Sequence, residues 1–266
     1  MKVLDVLFLG TGTSHGVPMI GCDCAVCRSI EPEDNRLRPS IYVTYDDGFS
    51  VLVDTTPDLR QQALRYDIRR VDAVLYTHAH ADHVLGLDEL RRFNHMTHQP
   101  VPLYGDARTL QQVRQTVAYA CNADARAGGG VPDLTLNELS GEPFELGGHR
   151  IVPVPVRHGS WTILGFRFGN FAYLTDCNAV PETSLPLLKN LDVLVIDALR
   201  HRPHPTHFTV AQAVEAAKKI GAKQTLLTHI CHDLGHAETT TGLPPGVSLA
   251  FDGQKLTLSS SASEGK

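Results

Sequence analysis

Three histidines and one aspartate lie within six residues of the segment YTHAHADHVLG, residues 76–86. They are His78, His80, Asp82 and His83, and they follow the apolar run VDAVL almost directly. Neutral imidazole and carboxylate groups are ligands that zinc, manganese and iron accept in proteins. Four such groups in one short loop predict a metal site, which can hold a pair of ions if other segments supply further ligands.

Other titratable residues follow apolar runs later in the chain in the same way. His158 follows VPVPVR, Asp176 follows FAYLT, Asp197 follows VLVI and His229 follows TLLT. Polar groups on loops at strand ends can converge in a cleft while the strands hold them rigid. We therefore expect His158, Asp176 and His229 to supply the further metal ligands.

A second candidate metal site lies in the glycine-rich segment GTGTSHGVPMIGCDCAVC, residues 10–27. Cys22, Cys24 and Cys27 provide three thiols in six residues, and a closed tetrahedral zinc site needs one more ligand. His232, three residues after His229 in THICHD, is the preferred fourth ligand. Cys231 is the alternative.

The elements that must position these residues are short β-branched runs alternating with helical patterns. Two sets of strands, each followed by helices, predict an α/β fold with two sheets packed face to face and helices outside, a four-layer αββα architecture. The final segment VSLAFDGQKLTLSS is typical of a hairpin that turns at Asp252 and Gly253. We expect one domain over residues 1–260 and a solvated tail over residues 261–266.

Composition restricts the partners of this chain. It has 266 residues, 42% of them hydrophobic, and a formal net charge of −5, which predicts no general attraction to nucleic acid or anionic membranes.

The start MKVLDVLFLG is typical of a strand, because Asp5 interrupts its apolar run, and no segment approaches the roughly 20 apolar residues that span a bilayer. The six cysteines do not form an ordinary disulfide framework. We expect a cytoplasmic protein with a small substrate.

The HAHADH motif, followed in order by His158, Asp176 and His229, resembles the metallo-β-lactamase superfamily over nearly the whole chain. The resemblance implies two divalent ions. The first would be held by His78, His80 and His158, the second by Asp82, His83 and His229, and Asp176 would bridge both. Redox members of the superfamily replace the second motif histidine with glutamate, whereas His80 is present here, which favours hydrolysis.

The segment RPHPTHFTV, residues 202–210, indicates which class of hydrolase this chain resembles. His207 resembles the extra histidine of the phosphodiesterase branch, which includes the ribonuclease Z type of tRNA-processing endonuclease and the phosphoribosyl cyclic phosphodiesterase of phosphonate catabolism. The resemblance implies that His207 would protonate the leaving alkoxide, as its imidazole chemistry allows. His201 and His204 are the fallback candidates for this role.

The pattern GVPxxGCxCxxC most closely resembles the phosphoribosyl cyclic phosphodiesterase subgroup, and it also resembles the B protein of pyrroloquinoline-quinone biosynthesis. The implied function is a dinuclear metal-dependent hydrolase of a small or cyclic phosphodiester, such as phosphoribosyl 1,2-cyclic phosphate. Its cofactors would be two zinc or manganese ions and one structural zinc, and Asp82 and Asp176 would orient the attacking hydroxide. The resemblance also suggests a homodimer.

Three other functions remain as alternatives: a thioester or lactam hydrolase of the same fold, a tRNA 3′-processing endonuclease, and a non-catalytic accessory protein of quinone biosynthesis. A tRNA enzyme needs a basic arm or patch, and the segment ADARAGGGVPD, residues 123–133, carries one arginine among acidic and small residues. Arg157, Arg200 and Arg202 could instead bind a second phosphate of a small substrate, because arginine offers a planar fork of donors.

Overall fold

A computed structural model describes residues 2–121 and 130–260. Its strands are β1 (Lys2–Gly10), β2 (Ser40–Tyr45), β3 (Ser50–Val53), β4 (Ala73–Leu75), β5 (Val101–Gly105), β6 (Leu134–Glu138), β7 (Phe144–Leu146), β8 (His149–His158), β9 (Trp161–Phe168), β10 (Phe171–Leu174), β11 (Val193–Asp197), β12 (Gln224–Thr228), β13 (Val247–Leu249) and β14 (Lys255–Ser260). Within these ranges the strands form two sheets of seven, in the orders 14-1-2-3-4-5-6 and 13-12-11-10-9-8-7.

Helices connect the strands and cover the outer faces of both sheets. They are α1 (Leu59–Arg65), α2 (Ala81–Val84), α3 (Leu90–Thr97), α4 (Ala107–Thr116), α5 (Ala118–Cys121), α6 (Val210–Ile220) and α7 (His236–Thr241), with short 3₁₀ turns at Pro32–Asp34, Leu87–Glu89 and Glu182–Leu188. Among the described residues, no helix has the length and apolar character needed to cross a membrane.

Three apolar layers account for the four-layer architecture. The central layer lies between the sheets, where Phe8 and Val53 of one sheet share a buried cluster with Phe166 and Tyr173 of the other. A second cluster packs the outer face of the second sheet against Ala213 of α6, and a third packs the first sheet against α3 and α4. Burial on both faces explains why the central strands are continuous apolar runs, and the predicted αββα fold is confirmed.

The predicted C-terminal hairpin is wrong. β13 pairs in parallel with β12 in the second sheet, whereas β14 pairs antiparallel with β1 in the first. The turn at Asp252 therefore carries the chain from one sheet to the other. The Asp252 carboxylate accepts hydrogen bonds from the Thr11 backbone N–H (2.9 Å), the Thr11 hydroxyl (2.8 Å) and the Leu37 N–H (2.7 Å). These contacts hold the crossover more strongly than a local turn preference would hold a hairpin.

Two sequence predictions fall wholly or partly outside the described residues. The tail at 261–266 lies beyond them, and so do residues 123–129 of the segment weighed as a nucleic-acid arm. A single domain ending at residue 260 stays a prediction.

Candidate metal centre

Strand ends from both sheets converge on one site. β4 leads into His78 and His80, α2 begins at Ala81 and carries the next two motif residues, and β8 ends at His158. Asp176 and His229 lie just beyond β10 and β12. The seven predicted ligands thus form two adjacent groups of potential metal donors, and metal binding by them stays a prediction.

The first group contains three histidines. His78, His80 and His158 offer ring nitrogens that lie within 4.8 Å of one another. Their ring centroids are 4.6 Å apart for His78 and His80, 5.3 Å for His78 and His158, and 5.1 Å for His80 and His158. Three imidazoles facing one point are a donor set that zinc accepts.

The second group contains two carboxylates and two imidazoles. His83 Nε2 lies 3.4 Å from an Asp82 oxygen and 3.2 Å from Asp176 Oδ1, and His229 Nε2 lies 3.2 Å from Asp176 Oδ2. Asp176 Oδ2 is also 3.8 Å from Nε2 of His78 in the first group. Asp176 is therefore the carboxylate that reaches both groups, as a bridging ligand must.

In several of these histidines Nδ1 makes a hydrogen bond, and this contact orients Nε2 of the same ring. Nδ1 of His158 donates to the Thr206 carbonyl oxygen at 3.1 Å, and Nδ1 of His78 lies 3.0 Å from the Thr77 hydroxyl. Among the described residues, the buried Nε2 atoms of His78, His83 and His229 make no hydrogen bond of regular geometry, although Asp176 oxygens lie 3.8, 3.2 and 3.2 Å from them. Unpartnered buried nitrogens are costly unless they meet a cation. The donor set and these free nitrogens fit two divalent ions.

Burial and charge set the protonation of the cluster. Burial holds the pKa of His78 well below its ordinary value, and it lowers the pKa of His158 to about 4. Both rings are therefore neutral near pH 7 and keep a lone pair for a metal. Burial opposes ionisation of Asp176, but His229 and His83 outweigh it and hold the pKa of that carboxyl well below its usual range. Asp176 is an anion at neutral pH.

Three residues around the site have left-handed backbones within two residues of a strand end: Asp54 with φ 65°, Asp176 with φ 55° and His229 with φ 60°. This conformation is uncommon for residues other than glycine and tends to occur at functional sites. It redirects the chain sharply where each strand ends. Close packing of the backbone near the site explains why residue 86 is a glycine. A Cβ atom at this position would lie 1.8 Å from the Thr56 carbonyl oxygen.

Sequence reasoning missed Asp54 at the end of β3. Its carboxylate is fully buried, lies 2.7 Å from His83 Nδ1, and accepts hydrogen bonds from both the backbone N–H and the hydroxyl of Thr77. A carboxylate on the far nitrogen of a metal-binding histidine fixes its tautomer and raises its basicity. The signal was present in the sequence, because VLVD repeats the strand-then-aspartate pattern of FAYLTD.

We predict that Asp54→Asn weakens metal binding at the second group by about 10- to 100-fold. The neutral amide oxygen accepts the His83 Nδ1 proton more weakly than the charged carboxylate does. Calorimetric titration of demetallated protein with Zn²⁺ would measure this. Glu215→Gln, which neutralises an exposed acid on α6, is the control and should bind as the parent does. An unchanged affinity in Asp54→Asn would contradict the supporting role.

His207 lies against the metal cluster, just before α6. Its Nδ1 is 2.8 Å from Oδ2 of the buried Asp197, whose Oδ1 accepts from the Phe208 N–H at 3.1 Å. The His207 ring is 5.0 Å from that of His158 and 4.5 Å from that of His229. The sequence analysis predicted that Asp197 lies at a strand end but assigned it no function. In the structure its carboxylate orients His207.

The fallback histidines lie farther out. His201 is exposed, and the half-buried His204 ring lies 5.0 Å from that of His207. Neither belongs to a group of potential metal donors in the described part of the chain. His207 itself also lies within ligand distance of His158 and Asp176, so its role must be separated from metal binding by experiment.

The three cysteines of the second candidate site lie beside His232, and zinc binding by these four residues stays a prediction. His232 Nδ1 lies 3.2 Å from the sulfur of Cys22, 3.4 Å from that of Cys24 and 3.5 Å from that of Cys27. The Cys27 N–H donates to the Cys24 sulfur and, with the other thiols and His232, lowers the Cys24 pKa to about 6. Cys231 is buried apart from the cluster and its sulfur accepts from the Asp233 N–H. Three sulfurs and one imidazole nitrogen fit a structural zinc.

Known proteins resemble this chain over most of its length. A crystal structure of a diphosphatase from the PhnP family is 48% identical, with a TM-score of 0.91, and the match covers 97% of this chain and 98% of that one. An octanoyltransferase of Porphyromonas gingivalis is 38% identical over 250 residues, or 93% of this chain. This chain spans 50% of that relative's length. Zinc-bound PqqB from Methylobacterium extorquens shares the fold, at 22% identity and a TM-score of 0.72 over 95% of this chain and 99% of that one.

The family match covers both halves of the metal centre. The model described as the beta-lactamase superfamily domain matches residues 50–230, which include every residue of the two donor groups and His207. The PhnP-family structure extends the resemblance to the cysteine segment, because it covers nearly the full chain. The chain therefore belongs to the β-lactamase superfamily and, within it, to the PhnP family.

Proposed function

We propose that this hydrolase is a dinuclear phosphodiesterase that opens a small or cyclic phosphodiester, such as phosphoribosyl 1,2-cyclic phosphate. The two ions would be zinc or manganese, held by His78, His80 and His158 and by Asp82, His83, Asp176 and His229. A third ion, zinc, would occupy the cysteine cluster. Divalent ions held by these residues would supply Lewis acidity toward phosphoryl oxygens and would lower the pKa of a bound water molecule.

The observation that carries this proposal is the Asp197–His207 pair beside the donor groups. Asp197 accepts the Nδ1 proton of His207 at 2.8 Å, which directs the other ring nitrogen away from Asp197. A carboxylate in this position stabilises the imidazolium and fixes its orientation. A proton donor is what an alkoxide leaving group requires, because an unprotonated alkoxide is a poor leaving group.

Four residues of the chain have separate roles in the proposed reaction. Asp82 and Asp176 accept hydrogen bonds from the attacking water and orient it toward phosphorus, and the proton that this water loses as its oxygen bonds to phosphorus passes to solvent. As the P–O bond to the leaving oxygen breaks, His207 donates the Nε2 proton to that oxygen, while Asp197 holds the Nδ1 proton. The products are a phosphate monoester and a free hydroxyl, and His207 regains its proton from solvent.

A diphosphate is the second candidate substrate, because the 48% identical structure is that of a diphosphatase. The same residues can serve it, since a phosphate leaving group carries its charge on oxygen as an alkoxide does. An anhydride needs less help from His207, because phosphate leaves more readily than alkoxide. Comparing a cyclic ribose phosphate with a nucleoside diphosphate sugar decides between the two.

Acyl transfer and tRNA cleavage are the remaining enzymatic alternatives. The Porphyromonas relative is named an octanoyltransferase, and a thioester carbonyl can be attacked at the same centre, so an octanoyl thioester belongs in the substrate screen. A formal net charge of −5 gives no general attraction to a polyanion, which disfavours tRNA. A homodimer remains proposed from the sequence resemblance, and a reducing, cytoplasmic compartment is proposed because the described cysteines are free thiols.

The decisive test compares the metal-loaded parent with His207→Ala on two substrates. We expect the variant to lose about 100-fold or more on a cyclic ribose phosphate, whose leaving group is an alkoxide. The loss should be smaller on bis(p-nitrophenyl) phosphate, because p-nitrophenolate leaves without protonation. His95→Ala, which removes an exposed histidine of α3, should behave as the parent.

Metal analysis of the same samples separates two roles of His207. About three ions per chain in both proteins would leave proton donation as the explanation of the loss. A parent that cleaves octanoyl thioesters but neither phosphodiesters nor diphosphates would overturn the proposed function. Loss of an ion from His207→Ala, with equal losses on both substrates, would make His207 a ligand.

A further inference from the structure

The segment that follows β12, residues 229–236, carries candidate ligands of two metal sites, and we call it the ligand segment. His229 belongs to the second donor group, and His232 belongs to the cysteine cluster. The segment ends at His236, where α7 begins. A displacement of this backbone would move a ligand of each site, so the contacts that fix it affect both.

Arg36 is buried against the ligand segment. Only 1% of its surface is exposed, although it carries a guanidinium group. Its Nη1 donates to the Cys231 carbonyl oxygen at 3.0 Å, and its Nη2 donates to the Leu234 carbonyl oxygen at 2.7 Å. One planar group therefore holds the main chain on both sides of His232.

The charge of Arg36 is balanced by Asp34. Nη2 of Arg36 lies 2.9 Å from Asp34 Oδ1, and in the described part of the chain no other carboxylate lies within 4 Å of this guanidinium. The same Asp34 oxygen accepts a hydrogen bond from the His236 backbone N–H at 2.8 Å. A buried cation is costly unless it is paired and its donors are used. Here the ion pair contacts the ligand segment at residues 231, 234 and 236.

The backbone of Arg36 is fixed to the loop that contains the cysteines. Val17 and Arg36 form an antiparallel bridge, in which each N–H donates to the other's carbonyl oxygen at 2.8 Å. Val17 precedes Cys22 in the loop after β1. Arg36 thus joins the cysteine loop, through its backbone, to the ligand segment, through its side chain.

The orientation of His229 depends strongly on its own backbone. Nδ1 of His83, the other imidazole of the second donor group, is held 2.7 Å from the Asp54 carboxylate. In contrast, Nδ1 of His229 makes no hydrogen bond of regular geometry among the described residues, and it lies 3.7 Å from Asp197 Oδ2. The contacts that Arg36 makes with the ligand segment therefore help to set where this ring points.

We propose that Arg36 is a positioning residue for two metal sites. By fixing the backbone of the ligand segment, it directs His229 into the second donor group and His232 toward the cysteine cluster. This inference rests on the metal sites of the proposed function and is independent of the substrate. Lysine is a poor replacement, because an ammonium is a point donor, whereas the planar guanidinium holds two carbonyl oxygens and a carboxylate at once. The three histidines of the first donor group lie outside the ligand segment and should not depend on Arg36.

The test measures the metal affinity of each site in the parent and in Arg36→Lys. Demetallated protein is titrated with Co²⁺ by calorimetry, and the sulfur-to-cobalt charge-transfer absorption identifies binding to the cysteine cluster. The binding step that is missing from His229→Ala identifies the second donor group. We expect Arg36→Lys to weaken these two sites by about 10-fold each and to change the first donor group by less than about twofold. Arg38→Lys is the matched control, because the Arg38 guanidinium pairs with Asp58 at 3.0 Å, and it should bind as the parent does.

The pattern of affinities separates positioning from a general contribution to stability. A residue that only stabilises the fold would lower the melting temperature and leave the three affinities of the folded protein unchanged. Unchanged affinities, or an equal loss at all three sites, would overturn the proposal. If Arg36→Lys does not fold, Asp34→Asn replaces it, since this change keeps the guanidinium but removes its paired charge. It should weaken the same two sites and spare the first donor group.

Hydrogen exchange tests the positioning without metal or substrate. In metal-free Arg36→Lys we expect the backbone amides of residues 230–236 to exchange about 10-fold faster than in the parent, with little change in the strands of either sheet. Exchange that rises uniformly, or not at all, would contradict the proposal. A parent that binds no ion at the second donor group or the cysteine cluster would instead contradict the metal sites of the proposed function, and the exchange result would then decide the role of Arg36 alone.

Discussion

Asp82→Ala should lower kcat for phosphodiester hydrolysis by about a thousandfold while the fold survives. Asp82 supplies one carboxylate of the second donor group, 3.4 Å from His83 Nε2 and 3.8 Å from His229 Nε2. It also orients the attacking water in the proposed mechanism. Losing a ligand from a metal pair removes several kcal/mol of transition-state stabilisation, and about 4 kcal/mol corresponds to a thousandfold.

The fold should tolerate this change because Asp82 lies in the short helix α2 and is not one of the apolar residues packed between the sheets. Thermal melting and circular dichroism check that expectation, and Glu215→Ala on the exposed face of α6 is the control. The variant also separates a catalyst from an accessory protein. Full activity in a folded Asp82→Ala that still binds its other metals would rule out the proposed centre.

Cys24→Ser should release about one equivalent of zinc and lower the melting temperature by about 10 °C. Structural zinc contributes directly to the free energy of folding, since the ligands come together only in the folded chain. Here the ion would join the segment at Cys22 to His232, more than 200 residues later. Serine replaces a thiolate whose pKa is already lowered to about 6 by hydrogen bonds to its sulfur, and it binds zinc poorly.

Two matched variants identify the fourth ligand of that site. His232→Ala should release the same equivalent of zinc as Cys24→Ser. Cys231→Ser should keep it, because the Cys231 thiol lies outside the cluster and accepts a hydrogen bond from Asp233. Inductively coupled plasma analysis gives the metal count. Zinc content and melting that stay unchanged in Cys24→Ser would disprove a structural ion at this cluster.

The candidate metal ligands could be identified from the amino-acid sequence alone. His78 to His83 are local in the chain, and Cys22 to Cys27 likewise, so residue type and spacing were sufficient to identify them. The later candidates at 158, 176 and 229 followed because each comes just after an apolar strand. The αββα layers could also be predicted, since strands buried on both faces leave continuous apolar runs.

Tertiary structure decided how those residues are oriented and which of the nearby charges are free. The carboxylates at 54 and 197 support His83 and His207 through hydrogen bonds across 29 and 10 residues, and although both follow apolar strands, the sequence does not show which histidine each one contacts. The crossover at Asp252 depends on hydrogen bonds to residues 11 and 37, which a turn preference cannot reveal. Folding brings the Asp233 carboxylate beside Arg202, whereas Arg200 has no carboxylate within 4 Å among the described residues. Ligand identity is a local property of the sequence, whereas orientation and charge balance arise from contacts between distant residues.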